Sequence, residues 1–100
     1  MRIEVVVPDY SPEGSLRLSR EANSKVSSRI EATQDEVVIT GNPEGFRTLG
    51  TVLLALAGPT VPSHYHVHLD QDNGWLVPGS VHLVIEVIKD DLHEGSADNA

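Results

Sequence analysis

The stretch that decides the fold is GNPEGFRTLGTVLLALAGP, residues 41–59. Asn42 is a favoured N-cap residue, and Pro43 suits the first position of a helix. Gly58 begins a Gly-Pro pair, which is a strong signal for the end of a helix. Between these signals the apolar residues recur at helical spacing. The sequence therefore predicts one helix over residues 43–57.

The apolar stripe of this helix is roughly twice as wide as the ordinary width of about 100°. We therefore expect the helix to be covered by a sheet and also by either the 8–24 segment or another subunit. The predicted core face consists of Phe46, Leu49, Gly50, Leu53, Leu56 and Ala57, widened by Val52 and Leu54, and the predicted solvent positions are Glu44, Arg47, Thr48, Thr51 and Ala55.

Strand patterns flank the helix on both sides. Before it, RIEVVV (2–7) is rich in β-branched residues, and KVSSRIEAT (25–33) is joined to VVIT (37–40) by a short turn. After it, HYHVHLD (64–70) and HLVIEVI (82–88) alternate between apolar and polar residues. The order β-β-β-α-β-β predicts an α+β fold. We expect a single antiparallel four- or five-stranded sheet with one helix packed on one face.

The chain has the length of one ordinary domain. One hundred residues can bury a sufficient core, and they leave no room for a second domain. Residues 8–24 hold prolines, a glycine and serines, so a long irregular connection is expected there. We divide the chain into a single α+β domain over 1–89 and an acidic, flexible tail over 90–100.

Acidic residues outnumber basic ones. The chain has 7 Lys and Arg against 15 Asp and Glu, which gives a formal net charge of −8 with neutral histidines. This sign disfavours nucleic acid and anionic membranes and favours a basic protein partner. No segment suggests a signal peptide or a membrane span, so a cytoplasmic location is expected. The absence of cysteine excludes disulfides, thiolate zinc sites and a cysteine nucleophile.

The HYHVHLD strand carries polar side chains at every second position. Because side chains alternate in a strand, these should face away from the helix while the residues between them face the core. The first and third histidines stand about 13 Å apart at the backbone, too far to share one ion. The row permits a solvated sheet face, a pairwise metal site or a partner-binding face, of which the solvated face is the simplest. The row is His64, His66, His68 and Asp70; the core side is Tyr65, Val67, Leu69, Leu83, Ile85 and Val87; and His82 and Glu86 share the outer side on the next strand.

Two further residues each allow two interpretations. Trp75 lies between two turn signals and is either a lid over the core or an exposed anchor for a partner. Asp70 ends its strand and either caps the following turn or orients a neighbouring histidine. The sequence shows no nucleophile with a matching base, so we predict no catalytic residue and no cofactor. Because the outer histidines are too far apart and cysteine is absent, we also predict no tightly bound metal ion.

Two segments carry a family resemblance: ITGNPEGFRTLGTVLLALA (39–57) and HVHLDQDNGWLVPGSVHLVIEVI (66–88). They resemble the bacterial immunity protein 32 family, small cytoplasmic α+β proteins that are thought to neutralise toxins of polymorphic secretion systems. The shared features are the Gly41-Asn42-Pro43-Glu44-Gly45 helix start, the His68-Leu69-Asp70 strand end and the Gly79-Ser80 turn.

The resemblance implies a non-enzymatic immunity protein that binds a cognate toxin and neutralises it by occlusion. The acidic charge agrees with a toxin that presents a basic surface. Two alternatives stay open: a small metal-binding sheet protein that uses the histidine row, and a structural domain that forms a homodimer through the wide helix stripe. The predicted partner-binding residues are His64, His66, His68, Asp70 and Trp75.

Overall fold

A computed structural model describes residues 1–89 of the chain, and the tail predicted over 90–100 lies outside the described residues. The α+β class is confirmed, with the element order β-β-α-β-β in the described part. The elements are β1 (Val26–Glu31), a short 3-10 turn (Ala32–Gln34), β2 (Glu36–Gly41), α1 (Pro43–Leu56), β3 (His66–Leu69) and β4 (Leu83–Glu86).

Helix α1 begins where its capping residues predict. The side chain of Asn42 accepts a hydrogen bond of 2.7 Å from the backbone N–H of Gly45, and Pro43 occupies the first turn. The Asn42 side chain gives one N–H group at the start of the helix a partner, and Pro43 has no N–H group that would need one. The helix ends at Leu56, one residue before the predicted end, and Ala57 is its C-cap.

The predicted core face of α1 is largely wrong. Phe46 and Leu54 are 47% and 54% exposed, although both were assigned to the core. Thr48 was assigned to solvent but is buried, and its hydroxyl accepts a 2.9 Å hydrogen bond from the backbone of Glu21. The apolar stripe is so wide that hydrophobicity alone could not show which part of it is buried, and the buried part is centred on Val52. The buried helix residues are Gly45, Thr48, Val52, Ala55 and Leu56.

The predicted single sheet is also wrong, because the structure contains two two-stranded antiparallel sheets, β1-β2 and β3-β4. Residues 77–81 run beside β1 and connect the two. Val77 N–H donates to Val26 and Val81 N–H donates to Ser28, each at 2.9 Å, while the Ser28 hydroxyl donates to the Val81 carbonyl. Between these two contacts β1 moves on by two residues, from Val26 to Ser28, whereas the neighbouring segment moves on by four, from Val77 to Val81. The intervening Pro78 has no N–H to donate, so no regular ladder joins the sheets.

The N-terminal strand predicted over residues 2–7 is absent from the described structure, where this segment has no strand pairing. A β-branched composition favours an extended backbone, but a strand also needs a free edge to pair with. Residues 77–81 occupy one edge of β1, and residues 2–7 pair with none of the remaining strand edges of the described structure. The hairpin predicted between the next two strands is confirmed as β1-β2, and residues 8–24 are irregular as expected.

The hydrophobic core lies between α1 and the inner side of β3-β4. One cluster forms around Val52 and Leu56 of the helix, and a second joins Val26 to Leu69 and Leu76. The irregular 8–24 segment covers one cluster with the buried Leu16, whose N–H donates to the Tyr65 hydroxyl at 3.0 Å. The core side predicted for β3 and β4 is confirmed: Leu69 is buried, and its partly buried companions are Tyr65, Val67, Leu83, Ile85 and Val87.

Candidate partner-binding surface

The outer side of β3-β4 forms a continuous polar surface, which we call the histidine face. The antiparallel register places His66 opposite Glu86 and His68 opposite Val84. Its side chains are exposed, except for the half-buried Asp70. The histidine face consists of His64, His66, His68, Asp70, His82 and Glu86.

A bulge at the start of β3 positions His64. Its N–H donates to the Val87 carbonyl at 2.6 Å, while Val87 N–H donates to the Tyr65 carbonyl at 2.8 Å. Two residues of one strand thus oppose one residue of the other, and His64 adopts a left-handed backbone with φ of 74°. Its Nδ1 lies 3.1 Å from Glu86 Oε2. This exposed pair can contribute only weakly to stability, even when His64 is protonated.

One hydrogen-bonded histidine pair on this face joins the two strands. His68 Nδ1 lies 3.1 Å from His82 Nε2, and the ring centroids are 5.1 Å apart. His66 stands edge-on to His68, with centroids 5.0 Å apart. In the hydrogen-bonded pair one imidazole nitrogen must donate and the other must accept. The sequence placed His82 on the correct side of the sheet, but it did not place His82 in the predicted site.

Asp70 caps the turn after β3, which is the first of its two predicted roles. Its Oδ1 accepts a 2.7 Å hydrogen bond from Asn73 N–H, and its own N–H donates to Asn73 Oδ1 at 3.1 Å. These reciprocal bonds cap the turn after β3. The other carboxylate oxygen, Oδ2, lies 3.8 Å from His82 Nε2. The turn therefore orients the carboxylate towards the histidine pair.

Trp75 lies apart from the other four predicted residues, because its side chain packs against both hydrophobic clusters. It is half-buried and lines a small internal space together with Thr48 and Leu49. Its backbone N–H donates to Asn73 Oδ1 at 3.2 Å, which ties it to the turn after Asp70. This position favours the lid interpretation of Trp75.

A charged pair outside the histidine face ties the irregular segment to α1. Arg47 donates two hydrogen bonds to Glu21, from Nε at 3.0 Å and from Nη2 at 2.6 Å. This hydrogen bonding lowers the pKa of the Glu21 carboxyl below its ordinary value and raises the pKa of Arg47. The sequence could not have identified the pair, because 26 residues separate its members.

Within residues 1–89, no group of three or more histidine, aspartate or glutamate side chains is arranged to hold a metal ion. In the same residues, no helix combines the length and the apolar character that crossing a membrane requires.

The family model of immunity protein 32 matches residues 36–88. The chain belongs to the immunity protein 32 family. The match covers more than half of the chain and contains the whole histidine face, so the resemblance noted over 39–57 and 66–88 is confirmed. No curated protein and no solved structure matches the chain.

The immunity protein 32 match begins at the first residue of β2 and ends just after β4. It therefore includes the helix start at Asn42 and the Asp70-Asn73 turn. The matched region excludes β1 and the irregular segment that covers the core. In this immunity protein, every residue of the histidine face lies within the matched region, whereas the irregular segment that covers part of the core lies outside it.

Proposed function

We propose that this protein binds a cognate bacterial toxin of a polymorphic toxin system and neutralises it by occlusion, without chemical turnover. The observation that carries the proposal is the family match over residues 36–88, because immunity proteins act on toxins. The bacterial cytoplasm is the proposed site of action.

The proposed contact surface is the histidine face, bordered by Trp75. Its four imidazoles can donate or accept hydrogen bonds, and Asp70 and Glu86 add acceptors for basic side chains. Trp75 lies in the turn that follows Asp70 and is partly exposed, so we include it at the border of the proposed surface. The proposed contact residues are His64, His66, His68, Asp70 and Trp75.

The net charge of −8 supports a toxin with a basic surface, because opposite charges steer two proteins together. The rate constants of association and dissociation should therefore be measured with the purified toxin between about 0.05 and 0.5 M salt. Over this range the Debye length falls from above about 10 Å to well below it. We expect the association rate constant to fall at least about tenfold, with a smaller change in dissociation. A salt-independent association rate would contradict charge steering.

Growth rescue of toxin-expressing cells tests the contact surface. One variant replaces His64, His66 and His68 with alanine, and we expect it to rescue poorly while keeping the melting temperature of the wild type. The matched control variant changes three exposed residues of the irregular segment: Glu13→Ala, Arg17→Ala and Ser19→Ala. Full rescue by the histidine variant combined with failure of the control variant would move the contact surface to residues 8–24.

A second candidate function is self-association as a homodimer, which the exposed outer side of α1 favours. Phe46, Leu53 and Leu54 are about half exposed there. Phe46 and Leu54, together with Ile3 and Val5, line an open, mainly apolar cavity of about 360 Å³. Sedimentation equilibrium separates the candidates: a dimer that Leu54→Glu converts to a monomer would support self-association, and a monomeric wild type would exclude it.

A further inference from the structure

The cross-strand pair of His68 and His82 has the spacing of two ligands on one metal ion. His68 Nδ1 and His82 Nε2 are 3.1 Å apart. Two nitrogens bound to tetrahedral Zn²⁺ at 2.0–2.1 Å from the ion are separated by about 3.4 Å. Small side-chain rotations could therefore bring both nitrogens onto one ion without a change in the backbone.

We propose that His68 and His82 form an exchangeable two-histidine site for a divalent transition-metal ion of the Zn²⁺, Ni²⁺ or Cu²⁺ type. Imidazole nitrogen suits these ions, whereas Mg²⁺ and Ca²⁺ require oxygen ligands. The second ligand, His82, lies immediately before β4, on the strand that the sequence placed beside the histidine row. The proposal does not depend on the toxin-binding function.

Both histidines can offer an unprotonated ring nitrogen to a metal ion without disrupting any buried contact. In the hydrogen-bonded pair one of the two facing nitrogens carries a proton, and a metal ion requires both to be unprotonated. The donor ring meets this need by moving its proton to its other nitrogen, so that His68 is protonated on Nε2 and His82 on Nδ1. Both rings are exposed, with 51% of the His82 side chain accessible, so an ion can reach them from solvent.

Asp70 adds negative charge beside the pair. Its Oδ2 lies 3.8 Å from His82 Nε2, and the bond from Asn73 to Oδ1 holds the carboxylate in this orientation. The carboxylate does not act as a third ligand, since no group of three possible metal ligands is present within residues 1–89. The remaining coordination positions therefore belong to water, and we expect binding to be weak enough for the ion to be lost on desalting.

Isothermal titration of the full, untagged chain with ZnCl₂ tests the site, with MgCl₂ as the negative control. His93 lies outside the described residues, so His93→Ala is included in every protein, including the reference. We expect one Zn²⁺ per chain in the reference protein. His68→Ala and His82→Ala should each weaken binding at least about tenfold, or 1.4 kcal/mol, while His64→Ala keeps the affinity of the reference.

Asp70→Asn provides an intermediate test, because it keeps the oxygen that caps the turn but removes the negative charge. We expect it to weaken Zn²⁺ binding less than either histidine change does. Circular dichroism of each variant checks that the fold is retained. The proposal is overturned if the reference protein takes up no Zn²⁺ at millimolar concentration, or if His64→Ala weakens binding as much as His68→Ala and His82→Ala do.

Discussion

Gly45, in the first turn of α1, lies directly against the backbone carbonyl oxygen of Lys25 at the start of β1. A Cβ atom at this position would overlap that oxygen and would also lie 2.8 Å from Val26 Cγ2 and 2.9 Å from Asn42 Oδ1. This close approach requires a residue without a side chain where the first turn of the helix meets the start of β1. It also gives a physical reason for the glycine in the helix-start motif.

We expect Gly45→Ala to lower the free energy of unfolding by about 2 to 3 kcal/mol, because a fixed backbone atom blocks the added methyl group. Gly50→Ala is the matched control, since no atom lies within 4 Å of a Cβ built there. That change should stabilise the protein by about 0.5 to 1 kcal/mol through helix propensity. Urea denaturation measures both, and equal stability of the two variants would contradict the close contact.

Asn42 should be the most sensitive polar residue at the helix start. Its Oδ1 accepts hydrogen bonds from Gly45 N–H and from Lys25 N–H, and its Nδ2 donates to the Asn23 carbonyl. We expect Asn42→Ala to cost about 2 kcal/mol of unfolding free energy. Asn42→Asp keeps the acceptor and should lose less, as measured by urea denaturation. If both variants lose the same unfolding free energy, the hydrogen bond from Asn42 to Asn23, and not the helix cap, accounts for the contribution of Asn42 to stability.

The two sides of β3 should respond oppositely to substitution. Val67 packs against both hydrophobic clusters, whereas the ring of His66 lies on the exposed face. Val67→Asp buries an unpaired charge at a cost of several kcal/mol, which is comparable to the total stability of a small domain. We expect it to unfold the protein and His66→Ala to leave the melting temperature nearly unchanged. Equal shifts would refute the assignment of the two sides.

Trp75→Ala should lower the melting temperature, because the indole packs against both clusters. Complete burial would make the loss about 3 to 5 kcal/mol, so about 2 kcal/mol is expected for a half-buried ring. Trp75→Phe fills part of the same space and should lose less. An unchanged melting temperature together with reduced growth rescue would instead identify Trp75 as a partner anchor.

The pair of Glu21 and Arg47 should make a small, pH-dependent contribution to stability. Arg47 lowers the pKa of Glu21 from its ordinary value of 4.5, so the ionised carboxylate stabilises the folded state. This contribution is complete well above pH 4.5 and is lost as the pH falls through the lowered pKa.

The measurement is the difference in unfolding free energy between the wild type and Glu21→Gln as a function of pH. We expect a small loss at pH 7, because the pair is exposed, and no difference once Glu21 is protonated at low pH. Glu13→Gln, in the same irregular segment, serves as the control for a general charge effect. A difference that grows as the pH falls would have the wrong sign.

Local signals predicted α1 and the β1-β2 hairpin closely. The Asn42 cap, Pro43 and the Gly58-Pro59 stop act within a few residues of the bonds that they make or prevent, so no distant contact is needed to interpret them. The strand predicted over residues 2–7 failed for the opposite reason: β-branched residues favour an extended backbone, but only a distant partner can supply an edge.

The sequence by itself determined the helix ends, the α+β class, the acidic charge and the side of β3 that carries histidines, because capping, composition and strand alternation are local properties. Tertiary structure decided which side of α1 is buried, with Gly45 held against Lys25 and with Val52 and Leu56 in the core. It also separated the two sheets, since residues 77–81 turn at Pro78 while they pass β1. The contact between His68 and His82 depends on the register of two strands joined by 13 residues, from Asp70 to His82, and this register follows from the packing of their inner sides.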